Sequence, residues 1–524
     1  MKKMTYILIL TSFTLLNASQ NNINEDGTKF EAPRLAGDSL PIKAYQKEKT
    51  SSTPTTIMEA FEYSHIKGLL RYSAQHRDSA LHTTQDNDDA GTPPPTSKIQ
   101  QYSAIGGFLG IETAPFYCTS LGATFYTALP AGPNENVGLG GLKEVQNSNG
   151  QTEGESYAVL GEAFLKIEDA NNRLVIGRQE MPDYRFVSLS NIRFSPFTHQ
   201  GATYENTLVE DLQVNVALIN SQKDRNAEVF EDMVRSARVQ TGCALDPTTG
   251  KCSDTTQRQL TRGEIDTNNF DANGAYDGSN KSMFMLGATY KVAGVSLEAW
   301  DYYVDDFVNT LYLYTDYSFA LNSSSNLTFA GQFASQTNVG DSVAGDVNTW
   351  FYGVKAQYAH NRGITLFTAF NQVAYNENSY DGGTIFVRWG TPQMFNSYQV
   401  QDSELAGTKS VGVGAQFELG KMKIVPHTVI RFRYAYYDMP DSLTQVDARQ
   451  DRAEATFDLR YSFLKNDGFG IFTTMDGFSL QFRIAYDDYK TDYDFSEYKR
   501  VHGYDFESVT DSFIDTRLYL DYVF

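Results

Sequence analysis

Long hydrophobic runs are missing from this 524-residue chain once its N-terminus is passed. A membrane-spanning helix needs about 18 or more consecutive apolar residues, so a helical membrane protein is excluded. Positive charge is also short. The 43 Lys and Arg stand against 64 Asp and Glu, giving a formal net charge of -21 and a pI near 4.8. Nucleic-acid binders show a basic stripe, so this balance argues against that class and against nucleic-acid partners. Tryptophan and cysteine are scarce, at 3 each. What abounds is Tyr (33) and Phe (34), beside 40 Gly, in a chain whose mean hydropathy is only -0.41. Many aromatics without long apolar runs indicate strands with one apolar face.

Residues 1–19 have the layout of a secretory signal peptide. Lys2 and Lys3 precede an apolar stretch from Met4 to Leu16, and small residues Ala18 and Ser19 follow. Residues 20–56, with Pro33, Pro41 and Pro54, are too polar to build a core and read as a tail or linker. Export to an oxidising compartment makes Cys243 and Cys252, which bracket the polar stretch Ala244 to Lys251, a candidate loop disulfide. Cys118 is left over and reads as a small residue on a strand.

From residue 57 to 524 the dominant pattern has period two. In the last segment Ile514, Thr516, Leu518, Leu520, Tyr522 and Phe524 share one parity, and Asp515, Arg517, Tyr519, Asp521 and Val523 share the other. Phe478, Leu480, Phe482, Ile484 and Tyr486 alternate in the same way with Ser479, Gln481, Arg483, Ala485 and Asp487. Such alternation marks strands with two unlike faces. A soluble sandwich alternates too, but its strands are usually about 5 to 6 residues long. Here they run about 9 to 13, the length needed to cross a bilayer at a tilt. Connections alternate between tight turns (Glu168 to Asn172, Ala293 to Gly294, Asn361 to Gly363) and long polar loops (Asp78 to Lys98, Ala128 to Glu155, Ser221 to Lys281). Short periplasmic turns and long extracellular loops produce that asymmetry. Aromatics gather at strand ends (Tyr434, Tyr436; Tyr461, Phe463; Tyr522, Phe524), as an interfacial girdle requires.

The expected fold is therefore all-β, a transmembrane antiparallel barrel of about eighteen strands closed so that every backbone group is paired. A barrel of about 16 to 18 strands encloses an aqueous channel. Tyr and Phe are expected to face lipid, with Gly and small polar residues filling turns and lumen.

The chain resembles the OprD-like (Occ) outer membrane porins. The resemblance rests on Lys67 to Tyr72, on Ile105 to Phe108 with Glu112 and Thr113, and on Leu174 to Gln179 followed by Pro182, Arg193, Pro196 and Gly201. The terminal Leu518 to Phe524 fits outer-membrane barrels generally. The resemblance implies a substrate-selective channel in the outer membrane of a Gram-negative bacterium. It would be surrounded by lipid and lipopolysaccharide, inserted by the barrel assembly machinery, and monomeric or loosely trimeric. It also implies that the third external loop, with Glu180, Asp183, Tyr184, Arg185 and Arg193, folds inward beside the seventh, with Arg388.

The polar parity of the last strands and the first carries Arg431, Arg433, Arg460, Arg483, Arg517, Lys67 and Arg71. At about 3.3 Å per residue they form a staggered track roughly 10 to 26 Å above the periplasmic ends. Arginine rows offer bidentate sites to carboxylates, and the resemblance implies such a ladder for carboxylate-bearing solutes: amino acids, organic acids or short peptides, anionic or zwitterionic. The plainer reading pairs these side chains with Asp458, Asp487, Asp515 and Asp521 to brace the wall, and both readings can hold together. A surface receptor or adhesin whose large loop works while the barrel anchors it is the other function considered. The 7 His residues are scattered and none sits in a nucleophile motif, so no enzyme is expected. No cofactor or metal is expected either. Asp266, Asn268, Asp271, Asn273 and Asp277 read as a solvated acidic loop, with an oxygen-rich calcium loop as the alternative weighed against it.

Overall fold

The computed structural model describes residues 53–83, 96–135, 141–146, 152–182, 184–188, 193–237, 281–342, 346–376, 378–387, 389–390, 394–401, 403–439, 451–463, 477–489 and 508–524. The putdown of strands begins with β1 (His65–Thr83), β2 (Thr96–Glu112) and β3 (Thr119–Glu135), then a small hairpin of β4 (Lys143–Gln146) and β5 (Thr152–Glu155). The wall continues with β6 (Tyr157–Glu168), β7 (Asn172–Gln179), β8 (Thr198–Asn206) and β9 (Leu212–Lys223). Next come β10 (Met283–Val292), β11 (Val295–Val304), β12 (Val308–Asn322), β13 (Ser325–Asn338), β14 (Asn348–His360) and β15 (Ile364–Val373). The last are β16 (Lys409–Glu418), β17 (Thr428–Asp438), β18 (Arg452–Ser462), β19 (Phe478–Tyr489) and β20 (Ser508–Val523).

Eighteen of these strands form one antiparallel sheet in sequence order, and β1 pairs with β20 from Leu69↔Val523 upward, which closes the barrel. The seam ends on the C-terminal residue: the Gly68 and Phe524 backbones exchange hydrogen bonds of 3.0 and 3.1 Å. The Phe524 ring fills the space where a Cβ on Gly68 would stand, 2.2 Å from its Cζ. Each segment expected to be a strand is one.

Burial alternates as the pattern requires. Along β14, Trp350, Tyr352 and Val354 point outward while Thr349, Phe351 and Gly353 point in. Phe478 stacks on Tyr522 at 4.5 Å and Tyr461 meets Phe463 edge-on at 4.7 Å, at the periplasmic rim. Short turns carry their own chemistry. Asp169 Oδ1 accepts from the backbone N–H groups of Asn171 and Asn172, both at 2.8 Å, and Ala293 and Gly294 both take positive φ, 48° and 82°, the twist a two-residue hairpin needs. At Gly177 (φ 126°) a Cβ would stand 2.3 Å from the Ala163 carbonyl oxygen. Only glycine tolerates that close approach.

Three expectations need correction, and one element was not foreseen. Cys118 is not on a strand. It is an exposed turn residue with φ 63°, following Tyr117 at 48°, because the hairpin into β3 needs two left-handed residues. The loop expected from Asp78 to Lys98 begins later, since β1 and β2 stay paired out to Leu81↔Thr96; the backbone ladder continues without an apolar face to demand it. Residues 57–62 form a helix, α1 (Ile57–Glu62), capped by Thr56 Oγ1 accepting from Glu59 N at 3.2 Å. Finally, the aromatics do not all face lipid. Tyr102, Tyr126, Tyr157, Tyr302, Tyr312, Tyr437 and Phe351 are fully buried on the inner face, because the lumen has a core of its own.

That core lies along β9–β14. Inward residues Met283, Met285, Trp300, Tyr302 and Phe351 pack against Met181, Tyr184, Phe186 and Val187 of the third external loop. They also meet Met233 and Val234 of a single helical turn, α2 (Met233–Ser236), and Ile385, Phe386, Val387 and Trp389 of the seventh loop. The opposite wall, β16–β20 with β1 and β2, presents charged and polar side chains instead.

Val413 lies mid-strand on the outer face of β16, opposite Tyr434. Val413→Arg should destabilise the barrel by about 2 to 4 kcal/mol in lipid, the cost of a guanidinium at the bilayer midplane. Val413→Thr should be much milder. Urea unfolding in vesicles, followed by tryptophan fluorescence, measures both; equal stability of the two variants would mean that this face does not meet hydrocarbon.

Candidate functional site

All seven basic residues of the track fall on the inner face, and the strand register fixes their neighbours. Arg431 stands opposite Asp458, Asp458 opposite Arg483, and Arg483 opposite Arg517. Two inward positions further toward the C-terminus of β20, Asp521 stands opposite Arg71. Asp458 thus stands between Arg431 and Arg483, whereas Arg483 and Arg517 are like charges side by side, each drawn to its own carboxylate, Asp458 and Asp515.

Most of these groups are ion-paired. Arg71 grips Asp521 with two bonds of 2.7 and 2.8 Å. Arg483 lies 3.0 Å from Asp458 and Arg517 2.6 Å from Asp515, and Asp515 also accepts from Arg77 at 2.9 Å. Arg431 donates twice to Gln416 Oε1, and Arg433 donates to Thr456 Oγ1 while its guanidinium covers the Tyr398 ring at 4.6 Å. These five arginines are buried, Arg483 down to 1% exposed. Lys67 is different: it bonds Glu162 at 2.8 Å with 38% of its side chain still accessible. Arg460 is half-buried beside Gln481. Accessible cations on this wall therefore include Lys67 and Arg460, framed by a braced lattice.

The third loop crosses the lumen between walls. At one end Arg185, itself in a left-handed conformation (φ 63°), makes a two-pronged ion pair with Glu298 of β11 and lies 4.0 Å over the Tyr314 ring. Tyr302 OH donates to the Tyr184 carbonyl at 2.5 Å, and Phe186 sits edge-on among Tyr302, Tyr312 and Phe351. At the other end the Arg193 carbonyl accepts from Arg71 at 2.7 Å and its guanidinium reaches Gln75 of β1. Buried Lys223 of β9 then ties the return arm, donating to Ser195 Oγ and to the carbonyls of Pro196 and Asp224.

The seventh loop lies beside it. The Gln336 side chain clamps the Phe386 backbone from both sides, 2.8 and 2.9 Å. The Trp389 carbonyl accepts from His199 and its indole donates to the Met233 carbonyl at 2.9 Å. Gly390 lies so near the third loop that a Cβ there would stand 2.3 Å from Ser188 N. Of the loop residues singled out by sequence, Tyr184, Arg185 and Arg193 are spread along this crossing; Asp183, Arg388, Cys243, Cys252 and the acidic stretch 266–277 lie outside the described residues. Glu180, the first residue past β7, shares its neighbourhood with Glu162, Lys67 and Lys223. Burial and the Glu162 carboxylate push its pKa up to about 7 against the pull of the two lysines. Sequence reasoning missed Glu162, Lys223, Glu298 and Glu454 as partners. Glu298 and Glu454 are charged residues on the inner parity of their strands, the one signal that marked them; Glu162 and Lys223 each lie beyond a bulge that shifts the phase, so parity did not mark them.

A closed membrane barrel with a polar wall and inward loops defines a channel protein of the outer membrane. The profile of the "outer membrane porin, OprD family" matches residues 129–494, well over half of the sequence. The chain belongs to the OprD family of porins, and so to channels for small solutes in the Gram-negative outer membrane. Similar solved structures include Pseudomonas aeruginosa OccK9 (OpdG), with TM-score 0.63 and 16% identity over 88% of this chain and 99% of that one. Acinetobacter baumannii OccAB3 gives TM-score 0.62 at 14% identity, again over 88% and 99%. Pseudomonas aeruginosa OpdK, in a structure with vanillate, gives 0.60 at 14% over the same shares. No curated protein matches the chain by sequence.

Two outcomes follow from this geometry. Arg185→Ala strands Glu298 in a buried site and should cost about 3 to 5 kcal/mol. Arg185→Met with Glu298→Leu should recover most of that loss in denaturant unfolding; no recovery would mean that the pair is not what holds the loop. Glu180 is neutral below about pH 7 and anionic above it. Reversal potentials in planar bilayers should therefore shift toward cation preference between about pH 5.5 and about 8.5. Glu180→Gln should abolish most of that shift, and a variant that titrates like wild type would assign it to another group.

Proposed function

We propose that the channel passes carboxylate-bearing solutes by passive diffusion, namely amino acids, organic acids or short peptides, guided along the wall of β17–β20 and β1. The observation that carries this reading is the placement of Lys67 and Arg460 as reachable cations within a contiguous lattice of Arg71, Arg431, Arg433, Arg483 and Arg517. The buried arginines fix the positions of Asp458, Asp515 and Asp521, so that the wall does not collapse onto its own cations; the accessible ones offer a solute carboxylate charge-assisted hydrogen bonds. A site of this kind must bind weakly enough to release, and half-satisfied cations such as Lys67 meet that condition better than a fully free guanidinium. Glu180, when ionised above about pH 7, would add an acidic group opposite the basic wall, which suits zwitterions. The neighbour OpdK, solved with vanillate, is consistent with carboxylate passage in this fold. Residues 1–19 would direct export and be removed, leaving 20–56 as a periplasmic tail.

Liposome swelling tests the reading. Wild type should admit small amino acids and dicarboxylates faster than neutral sugars of similar size. Lys67→Ala with Arg460→Ala should abolish that preference while sugar flux persists. Equal rates for both solute classes in wild type would remove the carboxylate assignment, and no flux of any solute would favour a barrel that serves as an anchor.

A further inference from the structure

The inner turn of the seventh loop, Tyr398–Gln401, is attached to the charged wall in a way that the rest of the loop is not. Glu454 of β18 is fully buried, and its carboxylate accepts three consecutive backbone N–H groups, those of Gln399 (2.8 Å), Val400 (3.2 Å) and Gln401 (2.8 Å). The two glutamine side chains extend the attachment to either side. Gln399 Nε2 donates to Asp515 Oδ1 and Gln401 Nε2 to Asp487 Oδ1, both at 2.9 Å. Cations complete it from the wall: Arg517 donates to the Gln399 carbonyl at 3.1 Å, and Arg452 to Gln401 Oε1 at 2.6 Å. The turn closes on itself through Tyr398 N and the Gln401 carbonyl at 2.9 Å.

Successive backbone N–H groups converging on one carboxylate form an anion-binding concavity. Here the anion comes from the barrel wall, not from a solute, and bonds to an ionised acceptor are roughly twice as strong as neutral ones. The loop is thus fastened by unlike chemistry: to an apolar core through Phe386 and Trp389, to the β15 and β16 backbones through Asn396, and to a carboxylate through residues 399–401. Its inner turn lies against Arg433 and Arg517, Tyr398 under the first guanidinium and the Gln399 carbonyl accepting from the second.

We propose that Glu454 is a positioning residue for transport: its carboxylate latches the inner turn of the seventh loop onto β18, and the latched turn limits the channel's conductance and covers part of its basic wall. The inference rests on the channel reading above. It differs from a bracing role, in which loss of Glu454 would lower stability but leave conduction alone.

Single-channel recording in planar bilayers tests it with two variants made separately, Glu454→Gln and the pair Gln399→Ala with Gln401→Ala. The second changes no charge, which separates release of the loop from simple loss of an acid. Gel migration with and without heating confirms that each barrel is folded. Both variants should raise conductance by roughly 1.5-fold or more, with noisier open levels, since conduction follows the width and lining of the narrowest part. Wild-type values in both would overturn the latch. A change in Glu454→Gln alone would assign the effect to charge, and a change in the glutamine pair alone would remove Glu454 from the role; either overturns it. Absence of channels in wild type would instead overturn the transport reading and the latch with it.

Discussion

Everything in this structure depends on the pairing of β1 with β20. Hydrocarbon offers no partner to a backbone N–H or C=O, so a sheet in lipid is stable only without edges. The seam from Leu69↔Val523 to the end of β1 supplies that closure, and Phe524 packed over Gly68 fixes where it begins. Closure then dictates the side chains. With the strands locked into one cylinder, every second residue meets lipid and every other one meets the interior, and a shift by a single residue would exchange the two sets.

The interior that results is divided rather than uniform. Along β9–β14 it is packed with Met, Phe, Tyr and Trp, and two external loops supply the other half of that packing. Along β16–β20 and β1 it is a lattice of interleaved charges. The division has a physical cause: a loop that enters a wide lumen must bury something against a wall, and apolar side chains from both partners provide the largest gain. The charged wall stays open to water only where nothing covers it. Even there, neighbouring carboxylates satisfy most guanidinium groups, because a buried unpaired charge would be costly. A basic row in such a barrel is therefore part scaffold and part contact surface, and burial, not residue type, separates the two roles: Arg483 belongs to the first and Lys67 to the second.

The wall was legible in sequence because period two is a local property. Phe478 to Asp487 alternate whatever the rest of the chain does, and each such stretch became a strand. The turns at Asp169 and at Ala293–Gly294 were legible for the same reason, since their chemistry lies within a few residues. The helix α1 was not read from the sequence, although its Thr56 cap and Glu59 lie within a few residues of each other. Cys118 was misplaced because left-handed conformation at Tyr117 and Cys118 is imposed by the hairpin, not by residues that favour it. The inward aromatics were misassigned because parity says which residues share a face and is silent on what covers that face. The partners of the site were legible only in part: Asp458, Asp515 and Asp521 could be named as braces of the arginine row, but not which arginine each would meet, since Arg71 and Asp521 are 450 positions apart; the Arg185–Glu298 pair, 113 apart, carried no mark.

Sequence alone determined the barrel, its strand number and which residues of an unbroken strand share a face, because these follow from local alternation and from the demand that lipid leave no backbone group unpaired. Only the tertiary structure decided which inward cations are braced and which are accessible, where the loops cross the lumen, and that Glu454 meets the backbone of residues 399–401. Those outcomes depend on contacts between segments far apart in the chain, and no period along the sequence encodes them.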